Sequence, residues 1–425
     1  MDKEEKAMTA EDRVPILIED AISRVMEYKR EGTKEFVSIF NSNGRYLAED
    51  IKASHNVPRF DRSSYDGFAL RSADTIAASK THPIELEIID EIGAGQVSHK
   101  KIGKYQAIRI MTGAMLPTDT DAVVMFEKTE ELKKEQRTYI KIDHVLHKGE
   151  NISFQGEDVK EGTVLIKKGT KINPGIVALL ATFGIEQVPV AKQPIIGVFA
   201  TGTELLEVDE ELEEGKIRNS NAYMIMAQIE RAGAIPRYFG KLADIMETSY
   251  EAIRHELDSV DMLITTGGVS VGDYDLLPDI YRKLGAEVLF NKIAMRPGSV
   301  TTVAQLNGKL LFGLSGNPSA CYVGFELFTN PIIKSFLFSQ KPHLPIVDAV
   351  LQEDFPMANP FTRLIRSRVS IVDGRLETGT SGVDKSNIVS SLAFANGLTI
   401  LPGGDSGYKC GDVVKVILLE ETENQ

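Results

Sequence analysis

Apolar residues near the N-terminus recur at the spacing of one helix face. Ile18, Ile22, Val25 and Met26 follow an i, i+4, i+7, i+8 pattern, which predicts an amphipathic helix. Basic residues and then a glycine follow, so we expect this helix to end at about Arg30.

Between Glu35 and about Lys171 the pattern changes to short β-prone runs separated by turn residues, which predicts one or two small β-rich domains. An apolar helix should follow, starting at Asn173 and Pro174 and ending at Gly184, because Asn can cap a helix and Pro suits its first turn. The predicted strands are 85–89, 105–110, 122–126, 138–142 and 163–166.

From Ile195 onward, strand patterns alternate with helix patterns, which is typical of βαβ units with a parallel sheet. Two prolines near residue 343 indicate a linker, and the strand runs beyond it predict a final all-β module. The predicted strands are 195–200, 235–239, 262–265, 287–290 and 310–314, and the predicted helices are 221–232, 249–257, 278–284 and one from Pro318 to near Phe338.

Composition places the chain among folded globular proteins. Its 425 residues are 42% hydrophobic and 26% charged, which excludes a wholly disordered, collagen-like or disulfide-scaffold protein. The net charge of −13 argues against a main function of coating nucleic acid or anionic membrane. Cys321 and Cys410 lie far apart without a histidine cluster, so we expect no zinc site or disulfide. We also expect a cytoplasmic protein, because no secretory signal and no apolar run of about 18 residues is present.

Three glycine-containing loops follow predicted parallel strands, at the sheet edge where open α/β proteins bind ligands. They span residues 201–204, 266–275 and 315–319. Their backbone N–H groups could cradle a phosphate, and the third loop runs directly into a helix N-terminus. The alternative is that glycine and proline only make tight turns, with Asn317 capping the helix. Three such loops together favour an anion site.

Carboxylates accompany these loops, whereas two common nucleotide motifs are missing. Gly267 and Gly272 have P-loop spacing, but Lys and Ser/Thr do not follow, and no GxGxxG motif opens a helix, so a Walker ATPase and a Rossmann dehydrogenase are disfavoured. Acids here would repel a bare phosphate, which predicts bound Mg²⁺, unless they are only solvated loop residues. Lys292 and Arg296 could attract an anionic substrate. The acids are Glu204, Asp244, Asp273 and Asp275.

For the other polar segments, the residue types alone predict no catalytic or binding role. Six of the eight residues 207–214 are acidic, which predicts a solvated, mobile loop. The segments 58–70, 109–114 and 156–159 contain residues that are typical of β-turns.

Seven motifs run from about Pro58 to Pro318, in the order PRFDRSSYDGFAL, RIMTGAMLP, GEDV, TGTEL, TTGGVSVGDYD, NKIAMRPG and LSGNP. In this order they resemble the molybdopterin molybdenumtransferase (MoeA) family, which is related to the C-terminal domain of gephyrin. The resemblance implies an enzyme that inserts molybdate at the dithiolene sulfurs of adenylylated molybdopterin and releases AMP in a Mg²⁺-dependent reaction. It also implies an elongated homodimer with its active site at the subunit interface.

The resemblance implies a multidomain α/β and β fold. We expect a three-layer α/β domain with a mostly parallel sheet, flanked by β-rich domains and a small C-terminal β-barrel-like domain. The expected segments are an N-terminal helix packing on the α/β domain (1–30), a small mixed linker domain (31–56 and 151–193), a β-rich domain (57–150), the α/β molybdopterin-binding domain (194–338) and the C-terminal β domain (339–425).

Together with the loops, the resemblance implies a set of site residues. The catalytic residues would be Asp66, Asp244, Asp275, Lys292 and Arg296, and the Mg²⁺ ligands Glu204, Asp244 and Asp275. The substrate-binding residues would be Thr112, Asp158, Glu204, Gly267, Gly268, Ser270, Ser315, Gly316, Asn317, Pro318, Arg363 and Ser386.

The chain departs from the family pattern at three positions. Arg296 stands where the family frequently has lysine, which keeps the charge but excludes a role that needs a transferable proton. Asn219 and Ser299 stand where Asp and Lys are frequent, so their family contacts do not carry over directly.

Two other functions stay open on the sequence. One is a non-catalytic pterin carrier or scaffold, against which the retained acids and lysine argue. The other is the preceding step, the adenylylation of molybdopterin, because the α/β domain resembles the adenylyltransferase of the same pathway. Partners implied are a second subunit and, transiently, that adenylyltransferase and molybdoenzyme chaperones, with no nucleic acid and no membrane.

Overall fold

The computed structural model describes residues 14–243, 245–268 and 276–419. Contacts divide the chain into two compact units. The larger unit comprises Met1–Glu49, Lys168–Ala178 and Glu186–Gln425, and the smaller unit comprises Asp50–Lys167 and Leu179–Ile185. The five-segment division expected above stays a prediction.

The helices are numbered in chain order. A π-helical segment, Phe325–Thr329, joins the last two of them. The α-helices are α1 (Ile18–Met26), α2 (Pro174–Thr182), α3 (Ser220–Ala232), α4 (Met246–Glu256), α5 (Leu277–Lys283), α6 (Pro318–Gly324) and α7 (Asn330–Phe336). The 3₁₀ segments are Ile39–Asn41, Ser72–Thr75, Phe126–Lys128, Leu257–Ser259 and Ser390–Leu392.

The strands are numbered in the same way. Those before the α/β sheet are β1 (Lys34–Ser38), β2 (Ile51–Lys52), β3 (Arg62–Ser63), β4 (Gly67–Leu70), β5 (Ile84–Ile92), β6 (Gln106–Ile110), β7 (Ala122–Met125), β8 (Glu130–Lys134), β9 (Arg137–Ile142), β10 (Ile152–Ser153), β11 (Val164–Ile166) and β12 (Gln187–Ala191). The next are β13 (Ile195–Thr201), β14 (Leu205–Leu206), β15 (Ile217–Arg218), β16 (Ile235–Leu242), β17 (Met262–Thr266), β18 (Glu287–Phe290), β19 (Met295–Arg296), β20 (Thr302–Leu306) and β21 (Lys309–Leu314). The last are β22 (Ile346–Leu351), β23 (Thr362–Val372), β24 (Arg375–Thr380), β25 (Gly397–Leu401) and β26 (Val413–Leu418).

A six-stranded sheet in the order β16, β13, β17, β21, β20, β18 forms the centre of the larger unit. The first four strands are parallel neighbours, and β20 and β18 extend the sheet in antiparallel pairing. The predicted mostly parallel sheet is therefore confirmed.

Side chains of these strands alternate between two apolar layers. Val198 and Ile264 face a core shared with α1, α3 and α6, whereas Phe199, Leu263 and Leu311 face a core shared with α4 and α5. Strands covered on both faces need nearly continuous apolar runs, which the sequence has at these positions. The three-layer arrangement is confirmed.

Local signals explain where the helices begin and end. The Asn219 side chain caps α3 by accepting from the Ala222 N–H at 3.2 Å, and Gly233 closes the helix with a φ of +95°. Helix α1 ends at Met26 rather than at about Arg30, because the chain turns there and the Tyr28 N–H donates to the Val25 carbonyl.

The C-terminal module is a closed barrel. Strands β23, β24, β22, β26 and β25 pair in sequence, and β25 returns to pair with β23. Strand β19, which comes from the α/β region, pairs with β23 at Met295 and Arg296. The expected barrel-like domain is confirmed, and β19 links it to the α/β sheet.

The smaller unit contains a six-stranded sheet in the order β7, β4, β6, β5, β9, β8. Its pairs are antiparallel except for β5 with β6. Strands β5, β6, β7 and β9 lie where the sequence predicted them, within a few residues, whereas β4 and β8 were not predicted, and β4 lies in the segment 58–70 that had been assigned to turns. Within the described ranges, none of the helices has the length and apolar content that crossing a bilayer requires.

Candidate active site

Three loops meet at the carboxyl end of the α/β sheet because β13, β17 and β21 are parallel neighbours. The Thr201 hydroxyl donates to the Thr266 carbonyl at 3.1 Å, which joins the first two loops. The Gly267 N–H donates to the Leu314 carbonyl at 2.8 Å, which joins the second loop to the third strand. The predicted convergence of the loops is therefore present.

Gly267 is required by the way the second loop passes the first. Its φ of +91° lies in the left-handed region, and a Cβ there would lie 2.6 Å from Thr201 Oγ1 and 2.8 Å from the Thr201 carbonyl oxygen. Gly268 follows with a φ of +67° and less crowding. The glycine pair thus permits close loop packing, as the tight-turn alternative expects.

The third loop leaves the Asn317 side chain available. Asn317 occupies the cap position of α6, but its side chain makes no capping hydrogen bond. Its N–H donates instead to Ser315 Oγ at 3.2 Å, and Pro318 fills the first helical position. Asn317 is therefore the N-cap by position, as the alternative expects, but its side chain is not used for capping.

A cavity of about 450 Å³ opens over the loop cluster, and we name it the loop cavity. Glu204 lies exposed at this cavity, with its carboxylate folded toward Gly202. Asparagine side chains contribute much of the polar lining. The lining residues are Thr201, Glu204, Leu205, Ile217, Arg218, Asn219, Ser220, Asn221, Thr266, Gly316, Asn317, Pro318, Asn387 and Val389.

A second cavity of about 600 Å³ lies between the α/β region and the barrel, and we name it the arginine cavity. It contains three guanidinium groups and a lysine against one carboxylate. The lining residues are Arg296, Pro297, Gly298, Ser299, Val300, Ser315, Asn317, Ala320, Met357, Ala358, Asn359, Arg363, Arg366, Asp384, Lys385, Ser386 and Asn387.

Asp384 organises the arginine cavity. Its two carboxylate oxygens accept from Arg363 at 2.7 Å and from Arg366 at 2.8 Å. Arg366 is almost fully buried, and this burial lowers the pKa of its guanidinium. Asp384 opposes that shift, so the buried guanidinium is compensated by a charge partner.

Arg296 and Arg363 are direct partners in the pairing of β19 with β23. Both arginines line the same cavity, where like charges repel each other, and of this pair Asp384 hydrogen-bonds to Arg363. The Arg296 guanidinium lies over the Phe361 ring at 6.0 Å. A bound anion would relieve the repulsion between the two arginines.

The two cavities share one wall. Asn317 and Asn387 line both of them. The loop that carries Asn387 is attached to α6 through Ser319, whose N–H donates to the Ser386 carbonyl at 3.1 Å and whose hydroxyl donates to the Ile388 carbonyl at 2.9 Å. This attachment brings the barrel loop to the loop cluster.

The start of the acidic segment is held in place, which sequence reasoning missed. Glu207 accepts from the Tyr238 hydroxyl at 2.6 Å and from the Tyr223 hydroxyl at 3.1 Å. Tyr238 in turn accepts from Asn219 in the loop cavity at 2.8 Å, and burial together with Glu207 raises the pKa of this tyrosine. The solvated-loop prediction is thus wrong for Glu207, while residues 208–214 are exposed.

In the smaller unit, the structure brings Asp66 and Thr112 together. The Thr112 N–H and hydroxyl each donate to Asp66 Oδ1 at 2.7 Å. These two bonds, the backbone one first, lower the pKa of the Asp66 carboxyl. Both residues are exposed, so the carboxylate is oriented and still open to a ligand.

Asp158 lies on a neighbouring loop of the same unit. Its N–H donates to the Val57 carbonyl at 3.0 Å, and the Gly156 N–H donates to the Pro58 carbonyl at 3.0 Å. Further along, the Gly113 N–H donates to the Ser63 carbonyl at 2.9 Å. The segments 58–70, 109–114 and 156–159 of the smaller unit therefore form one loop cluster.

Comparison with known proteins gives matches along the whole chain. The MoeA N-terminal region (domain I and II) matches residues 14–184, a "Probable molybdopterin binding domain" matches 197–335, and the MoeA C-terminal region (domain IV) matches 348–419. The molybdopterin molybdenumtransferase of Bacillus subtilis is 54% identical over 97% of this chain and 96% of its own length. The chain belongs to the molybdopterin molybdenumtransferase (MoeA) family.

Further relatives agree with this family. The molybdopterin molybdenumtransferase of Staphylococcus epidermidis is 49% identical over 97% of this chain and 98% of its own length. A crystal structure of the molybdopterin biosynthesis MoeA protein from Pyrococcus horikoshii has a TM-score of 0.81 at 29% identity and covers 96% of this chain and 100% of that one. The chain is thus a transferase of molybdenum cofactor biosynthesis.

Not every described residue that the sequence predicts for the site lines one of the two cavities. Lys292 is half-buried and lines neither cavity, and its carbonyl accepts from the Ile16 N–H. Asp244, Ser270 and Asp275, with Asp273, lie outside the described residues. In the described ranges, no three His, Cys, Asp or Glu side chains are grouped to hold a metal ion.

Sequence reasoning also missed some lining residues of this MoeA-family site. Arg366, Asp384 and Asn387 lie in none of the seven motifs. Contacts within the barrel bring them to the arginine cavity. The sequence predicted Asn221 only as part of a helix. In the structure its side chain donates to the Gly316 carbonyl at 2.8 Å and joins α3 to the third loop.

Replacing Gly267 by alanine should destabilise the enzyme more than the same change at Gly308. Both glycines have positive φ, but a Cβ at Gly308 meets no atom within 4 Å. We expect about 1–3 kcal/mol of additional destabilisation for Gly267→Ala, from overpacking against Thr201. Urea unfolding of both variants measures the difference, and equal losses would contradict the close packing.

Replacing Thr112 by valine should raise the pKa of Asp66 toward its ordinary value, because the hydroxyl donor is lost and the N–H remains. Carboxyl ¹³C NMR titration measures this shift, and Thr118→Val serves as the control. Since the folded pKa is lowered, the hydrogen bond stabilises the fold above the unfolded pKa, and this contribution disappears as the pH falls through the folded pKa. An unchanged Asp66 titration in the valine variant would show that the hydroxyl does not act on the carboxylate.

Proposed function

We propose that this enzyme inserts molybdate into adenylylated molybdopterin and releases AMP in a Mg²⁺-dependent reaction. The supporting observation is the pair of cavities that share the wall of Asn317 and Asn387. A transfer between two anionic substrates needs two adjoining sites, and these cavities differ in the chemistry that they offer. The arginine cavity suits an oxyanion because of its positive charge, and the loop cavity suits a ligand with several hydrogen-bonding groups because of its neutral polar lining.

The loop cavity would hold the pterin substrate. It lies in the segment that matches the molybdopterin binding domain, residues 197–335. Backbone N–H groups of the loop at Gly316 offer hydrogen bonds to a polar heterocycle and its phosphate, while Asn219 and Asn221 are bonded to Tyr238 and to the Gly316 carbonyl and so shape the cavity. Thr201 and Thr266, at the ends of adjacent strands, hold the floor of this cavity in place.

The arginine cavity would hold molybdate. Guanidinium groups present paired donors to oxyanions and carry their charge throughout the physiological pH range. Arg296 and Arg363 face each other across a strand pair, and an anion between them replaces repulsion by two charge-assisted bonds. Ser386 and Ser299 add hydroxyls to the same lining. Arg296 therefore serves as a charge-stabilising group and not as a proton donor.

Mg²⁺ fits the chemistry of the one described acid at the loop cavity. Carboxylate oxygens are its preferred protein ligands, and Glu204 is exposed there. The other proposed ligands, Asp244 and Asp275, are assigned from the sequence alone. When bound, Mg²⁺ would neutralise pyrophosphate charge and polarise the P–O bond that breaks on AMP release.

A homodimer is part of the same proposal. The resemblance implies that Asp66, Thr112 and Asp158 of the smaller unit belong to the active site. In support, the Asp66 carboxylate is exposed and oriented by two hydrogen bonds without any apolar cover. Transient contact with the adenylyltransferase and with molybdoenzyme chaperones, and a cytoplasmic location, complete the proposed setting.

AMP release from adenylylated molybdopterin should require both molybdate and Mg²⁺. Omitting either one should lower the release rate to the uncatalysed level, which chromatographic AMP quantification measures. Tight binding of the substrate without release under any of these conditions would instead support a carrier. Consumption of ATP with unadenylylated molybdopterin would support the adenylyltransferase reaction.

Replacing Arg363 by glutamine should weaken molybdate binding by about tenfold or more, because a charge-assisted hydrogen bond to the oxyanion is lost. Isothermal titration with molybdate measures this affinity. Arg375→Gln removes the same charge from an exposed position of the barrel outside both cavities, and its affinity should match the wild type. Equal affinities for all three proteins would reject the arginine cavity as the molybdate site.

A further inference from the structure

The shared wall of the two cavities is the place where their contents can meet. Only Asn317 and Asn387 line both cavities among the residues described. If one cavity holds the oxyanion and the other the pterin, the atom that moves between them must pass these two side chains. This step rests on the proposed function. The wall is therefore where transfer, as distinct from binding, is controlled.

Both side chains at the wall are free to contact a substrate. The Asn317 side chain makes no capping hydrogen bond to α6, and neither amide makes a side-chain hydrogen bond to a residue within the described ranges. Both are exposed to the cavities. An asparagine amide has two N–H donors for oxyanion oxygens and one acceptor oxygen.

The backbone that carries Asn387 is held firmly from both sides. On one side, buried Ser319 donates to the carbonyls of Ser386 and Ile388. On the other, Arg366 donates to the Lys385 carbonyl at 3.1 Å and to Asp384 at 2.8 Å. A side chain on such a backbone can be aimed without the entropy cost of ordering a loop.

The charge at the wall differs from the charge in the arginine cavity. Arginines bind an oxyanion strongly. A further cation at the shared wall would tighten this binding without accelerating transfer. Neutral amides can donate to the oxygens of the moving group without trapping it. A carboxylate at the same position would repel both anionic substrates.

We infer that Asn387, together with Asn317 on the opposite loop, donates to the molybdate oxygens while the two dithiolene sulfurs of the pterin form bonds to molybdenum. One molybdate oxygen leaves as water with two protons, and a separate water molecule hydrolyses the pyrophosphate P–O bond to give AMP and the pterin phosphate. Asn387 therefore acts on the transfer step and contributes little to the binding of either substrate alone. It is a residue of the barrel, so the barrel supplies one donor to the transfer site.

The test compares binding with transfer in Asn387→Ala, Asn387→Gln and Asn387→Asp. Molybdate affinity by titration and the affinity for adenylylated molybdopterin without molybdate should stay within about threefold of wild type for the alanine variant. Its single-turnover AMP release with both substrates bound should fall by about 100-fold or more, as expected when one oxyanion donor is removed. The glutamine variant, which keeps an amide, should recover most of that loss.

The aspartate variant and its control add a charge test. Asn387→Asp should slow transfer more than Asn387→Ala does, and added salt should reduce this extra loss because it screens the repulsion. Asn307→Asp adds the same charge at an exposed turn that lines neither cavity, and it should transfer at the wild-type rate.

The outcomes separate this inference from the proposed function. A wild type that releases AMP in response to molybdate, with an alanine variant equally fast in single turnover, would overturn the role of Asn387 alone. An alanine variant that loses affinity for both substrates in proportion to its rate would also overturn it, because the effect would then be on binding. A wild type without molybdate-dependent release would overturn both.

Discussion

The parallel pairing of β13, β17 and β21 is the constraint on which the site depends. Because the strands are adjacent and point the same way, the loops that follow them lie at one edge of the sheet. Gly267 lets the second loop pass within contact distance of Thr201, where any side chain would collide. This strand pairing forms the loop cavity, and the positions of the strands determine the positions of the polar groups around it.

The barrel completes the site through a small number of contacts. Ser319 is a buried residue of α6, and its N–H and hydroxyl donate the hydrogen bonds that hold the 386–388 loop. Strand β19 pairs with β23 and so sets Arg296 opposite Arg363. The arginine cavity is thus built from two structural modules, and neither module contains it alone. An acidic chain with a net charge of −13 can in this way offer a locally cationic site to an anion.

Element types followed well from the sequence, and site geometry followed only in part. The alternation of apolar runs predicted the parallel sheet, and the loops carrying Thr201, Gly267 and Asn317 were found at its carboxyl edge. The partnership of Arg363 and Arg366 was not predictable, because residues three apart in a regular strand point to opposite faces. Both nevertheless contact Asp384, which lies on the loop after β24. Similarly, Glu207 looked like one solvated acid among six until α3 and β16 placed Tyr223 and Tyr238 against it.

The sequence by itself determined the alternation of strands and helices in the α/β region, the glycine-bearing loops, and the resemblance to the MoeA family. These depend on local spacing and on short motifs, which a chain carries whether or not it is folded. The tertiary structure alone decided that Asn387 stands beside Asn317 and that Lys292 lies away from both cavities. The reason is that such neighbours are separated by long stretches of chain, as Ser319 and Ile388 are by 69 positions. Strand register and barrel closure determine their contacts, and no local pattern encodes either one.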